Sequence, residues 1–271
     1  LTNVNGTLFF SVDDGIHGRE LWATDGTAGN TRMVMDIDAS AETGSDPGNF
    51  LAVGSELYFT ATIRAVGTEL WKSDGTEIGT ELVRDLYTGR YSSKPQNLTA
   101  ANGQLFFTAL TAKSVGYELV RLDVSNPEAE PFVYDLYTGS YSSSPSELTV
   151  SGDTLFFTAN VGALGRELYK IDLTDPKFSP SLVRDIAPLP YVGSNPNDLT
   201  VVDGTLYFSA NPGTRVSELW KSDGTLKGTV RVSASNLVTA DLTAYQGGLW
   251  FAGSEDPDAE EKAYEIWSSD G

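Results

Sequence analysis

Glu69-Leu70-Trp71-Lys72-Ser73-Asp74-Gly75-Thr76-Glu77-Ile78-Gly79-Thr80 is a sentence that this chain repeats. Full copies of its opening stand at Glu20-Leu21-Trp22-Ala23-Thr24-Asp25-Gly26-Thr27 and Glu218-Leu219-Trp220-Lys221-Ser222-Asp223-Gly224-Thr225. Degraded copies begin Glu118-Leu119-Val120 and Glu167-Leu168-Tyr169, and a last copy runs from Glu265-Ile266-Trp267 to Asp270-Gly271. The six glutamates recur at intervals of 47 to 51 residues. Tandem repeats share one continuous core, so a single domain over 1–271 is expected where length alone would allow two.

Outward from that stretch, each repeat has the same grammar. A short segment such as Leu98-Thr99 or Leu199-Thr200 precedes a turn, written Asn5-Gly6, Val53-Gly54, Asn102-Gly103, Gly152-Asp153, Asp203-Gly204 or Gly247-Gly248. Several of these pairs tolerate the positive φ that a two-residue hairpin demands. An aromatic run follows, Leu57-Tyr58-Phe59 and Leu105-Phe106-Phe107 among its copies, apolar on both faces as in a strand buried between two sheets. The Glu-Leu-Trp strand comes third, and Asp-Gly turns the chain back into a fourth, such as Glu81-Leu82-Val83-Arg84. No repeat holds an apolar pattern at helical spacing long enough for two helices.

Four short antiparallel strands per ~50 residues is the period of a propeller blade. The expected fold is all-β: a β-propeller of four-stranded antiparallel blades with six blades visible, at approximately 1–49, 50–97, 98–147, 148–198, 199–241 and 242–271. The last is expected to lack its outer strand, because the sequence stops in the turn at Asp270-Gly271. That pattern fits an excerpt from a six-bladed ring short of about 25 residues, or from a larger ring.

Eighteen basic residues against 37 acidic ones leave a net charge of −19. Such a surface repels nucleic acid and anionic lipid. The absence of cysteine removes disulfides and thiolate chemistry, and no apolar run approaches the ~20 residues of a membrane-spanning helix. The opening residues lack the pattern of a signal peptide and read as the middle of a repeat.

Glu-Leu-Trp-x-x-Asp-Gly-Thr followed by x-x-Gly-Thr resembles the repeat that names the ELWxxDGT repeat proteins. That bacterial group implies a secreted or cell-surface propeller, mostly without assigned activity. The spacing matches in all six repeats. Repeats three and four depart, with Arg121-Leu122-Asp123-Val124-Ser125-Asn126-Pro127 and Lys170-Ile171-Asp172-Leu173-Thr174-Asp175-Pro176 read as longer loops in place of Asp-Gly-Thr.

Residues stamped once per repeat read as scaffold. The glutamates are expected to accept backbone or arginine hydrogen bonds, and Asp25, Asp74 and Asp223 to close their own turns. His17, the sole histidine, reads as an exposed loop residue. A calcium site is the weaker reading of the acidic cluster Asp13, Asp14, Asp36, Asp38, Glu42 and Asp46, joined by Glu255, Asp256, Asp258, Glu260 and Glu261 if the first and sixth repeats are neighbours. Otherwise no cofactor is expected.

The loop from the fourth strand of one repeat to the first of the next carries the main binding candidates. Repeats two and three hold near-copies there, with Tyr87, Arg90 and Tyr91 in one and Tyr137 and Tyr141 in the other, and repeat four holds Tyr191. Tyrosines on rigid loops suit sugars or protein partners; packing of the rings on a neighbouring repeat is the plain alternative. The expected task is thus non-catalytic binding or assembly outside the cytoplasm, with a protein or glycan partner at the cell surface. The rival is a glycoside hydrolase or lyase acting in a central cleft. It would require off-repeat residues such as Asp46, Arg90, Lys94 and Lys113 to converge.

Overall fold

The structure, a computed structural model, describes residues 1–40, 43–126, 129–214, 216–232, 238–254 and 264–269. It is all-β: six antiparallel sheets, five of four strands and the last with three among its described residues. The first sheet comprises β1 (Thr2–Val4), β2 (Thr7–Asp13), β3 (Arg19–Thr24) and β4 (Arg32–Met35). The second holds β5 (Gly48–Val53), β6 (Glu56–Ile63), β7 (Gly67–Ser73) and β8 (Glu81–Arg84). The third holds β9 (Gln96–Ala101), β10 (Gln104–Leu110), β11 (Tyr117–Asp123) and β12 (Phe132–Tyr134). The fourth is β13 (Ser146–Ser151), β14 (Thr154–Asn160), β15 (Arg166–Asp172) and β16 (Pro180–Arg184). The fifth is β17 (Asn197–Val202), β18 (Thr205–Ala210), β19 (Glu218–Ser222) and β20 (Val230–Arg231), and the sixth β21 (Val238–Tyr245), β22 (Gly248–Ser254) and β23 (Glu265–Ser269). Strand order follows the chain in every sheet.

Local chemistry sets these boundaries. Asn5-Gly6, Asn102-Gly103 and Asp203-Gly204 have positive φ at both residues, as expected of tight hairpins. In repeats two and six the turn lies one residue away from its expected place. Val53 pairs with Glu56 and Tyr245 with Gly248, so the turns are Gly54-Ser55 and Gln246-Gly247. First strands also begin before the expected repeat boundaries, at Gly48, Gln96, Ser146, Asn197 and Val238. Each contains a register shift, with Asn49, Asn97, Glu147, Asp198 and Asp241 at φ between 52° and 58°. A bulge leaves a residue out of the two-residue alternation, and the apolar pattern becomes readable only beyond it.

Two compact units divide the chain, Leu1–Tyr141 and Ser142–Gly271. Within the first, β6 alternates: Leu57, Phe59 and Ala61 join Phe9, Leu21 and Val34 of the first sheet, while Tyr58 joins Leu105, Phe107 and Val120 of the third. Within the second, Phe208 and Trp220 meet Phe156 and Leu168 of the fourth sheet, and Tyr207 and Leu219 meet Leu249 and Phe251 of the sixth. Each fully buried aromatic contributes roughly 1.5–3 kcal/mol by area. The expectation of aromatic strands buried on both faces fails at β22, where Trp250 is 41 % exposed beside the buried Leu249 and Phe251.

In repeats two and five the Asp-Gly-Thr turns are sheet-to-sheet joints as well as local folds. Asp74 Oδ1 accepts from the amide and hydroxyl of Thr76, and Asp223 Oδ1 from those of Thr225. A Cβ on Gly75 would stand 3.2 Å from Cζ of Phe9 in the preceding sheet, and one on Gly224 3.3 Å from Cζ of Phe156. Repeats three and four keep the aspartate cap but not the positive-φ glycine turn, and the segment from that aspartate to their fourth strand is longer than in repeat two, as the sequence reading expected. Asp123 caps Ser125, and Asp172 caps Thr174, by the same amide and hydroxyl contacts. Val124 and Leu173 replace glycine, and Val124 packs on the cluster containing Tyr58.

Candidate functional site

The repeat glutamate holds the loop that carries the binding candidates. Glu69 is fully buried and accepts from Leu86 N at 3.0 Å, Ser93 N at 2.7 Å and Ser93 Oγ at 2.5 Å. Glu20 takes the same three bonds from Ile37 and Ser45, and Glu167 from Ile186 and Ser194. Glu118 accepts from Leu136 N. Glu218 instead meets Arg231 Nη1 at 3.1 Å, and Glu265 is exposed. The expected acceptor role is thus observed.

Each of these serines also ties its loop to the following sheet. Thr62 N donates to Ser45 O, Leu110 N to Ser93 O, Asn160 N to Ser143 O and Asn211 N to Ser194 O, at 2.7 to 2.9 Å. Sequence reasoning passed over these residues, although a signal existed. Ser45-Asp46-Pro47, Ser93-Lys94-Pro95, Ser143-Ser144-Pro145 and Ser194-Asn195-Pro196 recur with the repeat.

Burial pushes the Glu69 carboxyl up to about 7, against the three donors that pull it down, with the nearby Asp85 charge adding to the rise. Glu167 is raised for the same reasons, with Asp185 beside it. Oδ1 of Asp36, of Asp85 and of Asp185 is buried without a hydrogen-bond partner.

Above these clamps the tyrosines of repeats two and three pair within their own loops. Tyr87 stacks on Tyr91 with centroids 4.7 Å apart at 18°, and Tyr137 on Tyr141 at 4.7 Å and 14°. The inner ring of each pair is half-buried, whereas Tyr91 and Tyr141 are each 62 % exposed. Gly89 N donates to Asp85 Oδ2 and Gly139 N to Asp135 Oδ2, so both loops turn alike. Tyr191 is 80 % exposed at φ 62° and donates its amide to Ala163 O.

Three clefts adjoin these loops, one of them, of about 310 Å³, lined by Asp85, Leu86 and Thr88 with Arg84 and Glu130. A second, of about 300 Å³, is lined by Arg64 and Arg90 together with Ile37, Ile63 and Ala65. The third, of about 340 Å³, sets Asp46 and Lys94 among Thr60, Thr62 and Thr68. Of the residues that the enzyme reading would bring together, Asp46 and Lys94 share a cleft, Arg90 lines another, and Lys113 is exposed. Among the described residues, the buried charged side chains are repeat glutamates and Asp38.

The acidic candidates are engaged individually. Asp13 Oδ1 accepts from Gly15 N. Asp14 accepts from the amides of Ile16 and His17 and lies 2.7 Å from His17 Nδ1; these bonds lower its pKa to about 2, and the Asp14 hydrogen bond raises that of His17. Asp38 takes Ser40 N and Oγ on one oxygen and Arg64 N on the other, while Asp46 lies 3.6 Å from Arg19 Nε. Among the described residues no three His, Cys, Asp or Glu side chains are grouped to hold a metal ion. Glu42, Glu255, Asp256, Asp258, Glu260 and Glu261 lie outside the described residues. In the second unit, Glu147 and Asp241 act on Asp198, whose pKa is raised first by desolvation and then by those charges.

No family model matches the chain, and no curated protein matches it. Solved structures do. The chain is similar to prolyl endopeptidases studied for the role of inter-domain dynamics in catalysis and specificity, with TM-score 0.61 and 14 % identity over 99 % of this chain and 40 % of that one. A puromycin-hydrolyzing peptidase of Mycobacterium tuberculosis gives 0.59 and 14 % over 99 % and 42 %, and oligopeptidase B of Leishmania major 0.55 and 11 % over 98 % and 39 %. The chain therefore spans about two fifths of the length of these peptidases. At such identity the likeness is one of fold, a propeller-like arrangement of small sheets. No helix among the described residues is long and apolar enough to cross a membrane.

Proposed function

We propose that the six sheets are blades of one β-propeller of the ELWxxDGT repeat type, acting outside the cytoplasm as a binding or assembly module. Its partner is a glycan or a cell-surface protein, met through the loops between successive sheets. The observation that carries this reading is the pair of stacked tyrosines repeated in two loops, each with one ring half-buried and one presented to solvent. A ring already stacked on its neighbour has little freedom left to lose when a sugar face or side chain covers it. The clamp beneath keeps the loop in place without using any of the exposed rings.

The module reading is further supported by where the charges lie. Apart from Asp38, the buried carboxylates recur by repeat and most hold loops, whereas an active site needs ionisable groups in distinct environments. The test is retention on immobilised bacterial surface glycans and envelope proteins, comparing the native chain with Tyr91→Ala/Tyr141→Ala. Loss of retention at an unchanged melting temperature is expected. Equal retention by the variant would remove the tyrosine surface from consideration.

A further inference from the structure

Among the described arginines, Arg64 and Arg90 stand apart. Arg19, Arg32, Arg84, Arg166, Arg184 and Arg231 hydrogen-bond or ion-pair within the protein, and Arg121 lies 5.7 Å over the Phe132 ring. The guanidinium groups of Arg64 and Arg90 make no such contact, and both line the same cleft of about 300 Å³. This occurs in a chain of net charge −19, where acidic partners are abundant. Two free guanidinium groups at one opening form a local positive spot on an acidic molecule.

The cleft is built rather than incidental. Asp38, one of its lining residues, is 7 % exposed and ties two segments of the lining together, accepting from Ser40 N and Oγ on one side and Arg64 N on the other. Its charge is thereby directed at those donors, leaving two cations against one occupied anion. Ile37, Ile63 and Ala65 add apolar lining. Arg90 immediately precedes Tyr91, the exposed ring of the stacked pair. Symmetry does not explain the arrangement: the matching loop of repeat three has Ser140 between Gly139 and Tyr141 where repeat two has Arg90.

We infer that this cleft binds a carboxylate-bearing sugar, a hexuronate unit in an otherwise neutral glycan, with its carboxylate held by Arg64 and Arg90 and its ring face near Tyr91. A planar carboxylate matches the fork of a guanidinium, and apolar lining with an exposed aromatic next in sequence to Arg90 suits the C–H face of a pyranose. A single anion is favoured over a polyanion, because the net charge of −19 repels a long acidic chain. The inference rests on the tyrosine-loop reading above and assigns it a ligand class.

Binding is to be followed by NMR titration with methyl glucuronide and methyl glucoside, which differ at C6, and with sodium acetate. The glucuronide should bind about tenfold or more tightly than the glucoside. Arg64→Gln and Arg90→Gln should each reduce it toward the glucoside level, and Tyr91→Ala should weaken both sugars. Both arginines are exposed, so the variants should melt as the native chain does. A glucuronide that binds no better than the glucoside, or indifference to both arginine changes, overturns the inference. Acetate binding as tightly as the glucuronide also overturns it, because the sugar would then contribute nothing. If the glucuronide preference is missing while Tyr91→Ala/Tyr141→Ala still abolishes glycan retention, the charge assignment alone falls. If the tyrosine variant changes nothing either, the loop surface falls with it.

Discussion

Ser93 shows how much one small side chain holds. Its amide and hydroxyl both donate to a fully buried carboxylate, and its carbonyl accepts from Leu110 in the next sheet. Ser93→Ala removes one of three donors from Glu69, and urea denaturation should show a loss of about 1–3 kcal/mol. The carboxylate also sets a pH dependence. Glu69 in the fold titrates near 7 rather than near 4.5, and Glu167 is shifted the same way. A group raised on folding contributes stability that is complete below its unfolded pKa and is lost as pH rises through its folded one. The melting temperature should therefore rise on going from pH 8 to pH 5, and Glu69→Gln should flatten that rise while lowering stability at pH 5. Below pH 4 the trend should reverse, because Asp14, Asp25, Asp74, Asp123, Asp172 and Asp223 are all lowered by their hydrogen bonds.

At the scale of the element, the Asp-Gly-Thr turn can be tested against a turn that touches nothing. Gly6 and Gly75 have φ of 91° and 90°, but a Cβ meets nothing within 4 Å at Gly6 and meets Phe9 at Gly75. Gly6→Ala should cost only the backbone term, about 1 kcal/mol, and Gly75→Ala measurably more, the difference reporting the joint between the first and second sheets. Strand identity and order were legible in the sequence because period-two apolar alternation and positive-φ pairs are local signals. The bulges were not, since Asn49 or Glu147 in a left-handed conformation looks like any polar residue before a strand. The aspartate cap kept in repeats three and four was hidden for a related reason. Without glycine the segment loses its turn signature, although the aspartate and the hydroxyl two residues on still carry the bonds. Of the site, the tyrosines were visible as a duplicated loop, but Arg64 was not. Its meeting with Arg90 depends on how one loop lies against another.

For the whole molecule, stability follows from joints between neighbouring sheets, as in other repeat architectures. Phe59, fully buried between the first and second sheets, should cost about 3–5 kcal/mol when changed to alanine, with hydrogen exchange accelerated in both. Net charge acts on the same scale: self-repulsion at −19 should make the melting temperature climb between ~20 and ~200 mM sodium chloride, as the screening length shortens. The glutamate–serine clamp has one more consequence. It grips the connecting segment at two points, Leu86 and Ser93 in repeat two, Ile186 and Ser194 in repeat four, and is indifferent to the residues between. Those residues form an exchangeable cassette: its contents can be rewritten between fixed anchors, and adjoining repeats can diverge there without renegotiating how they fold.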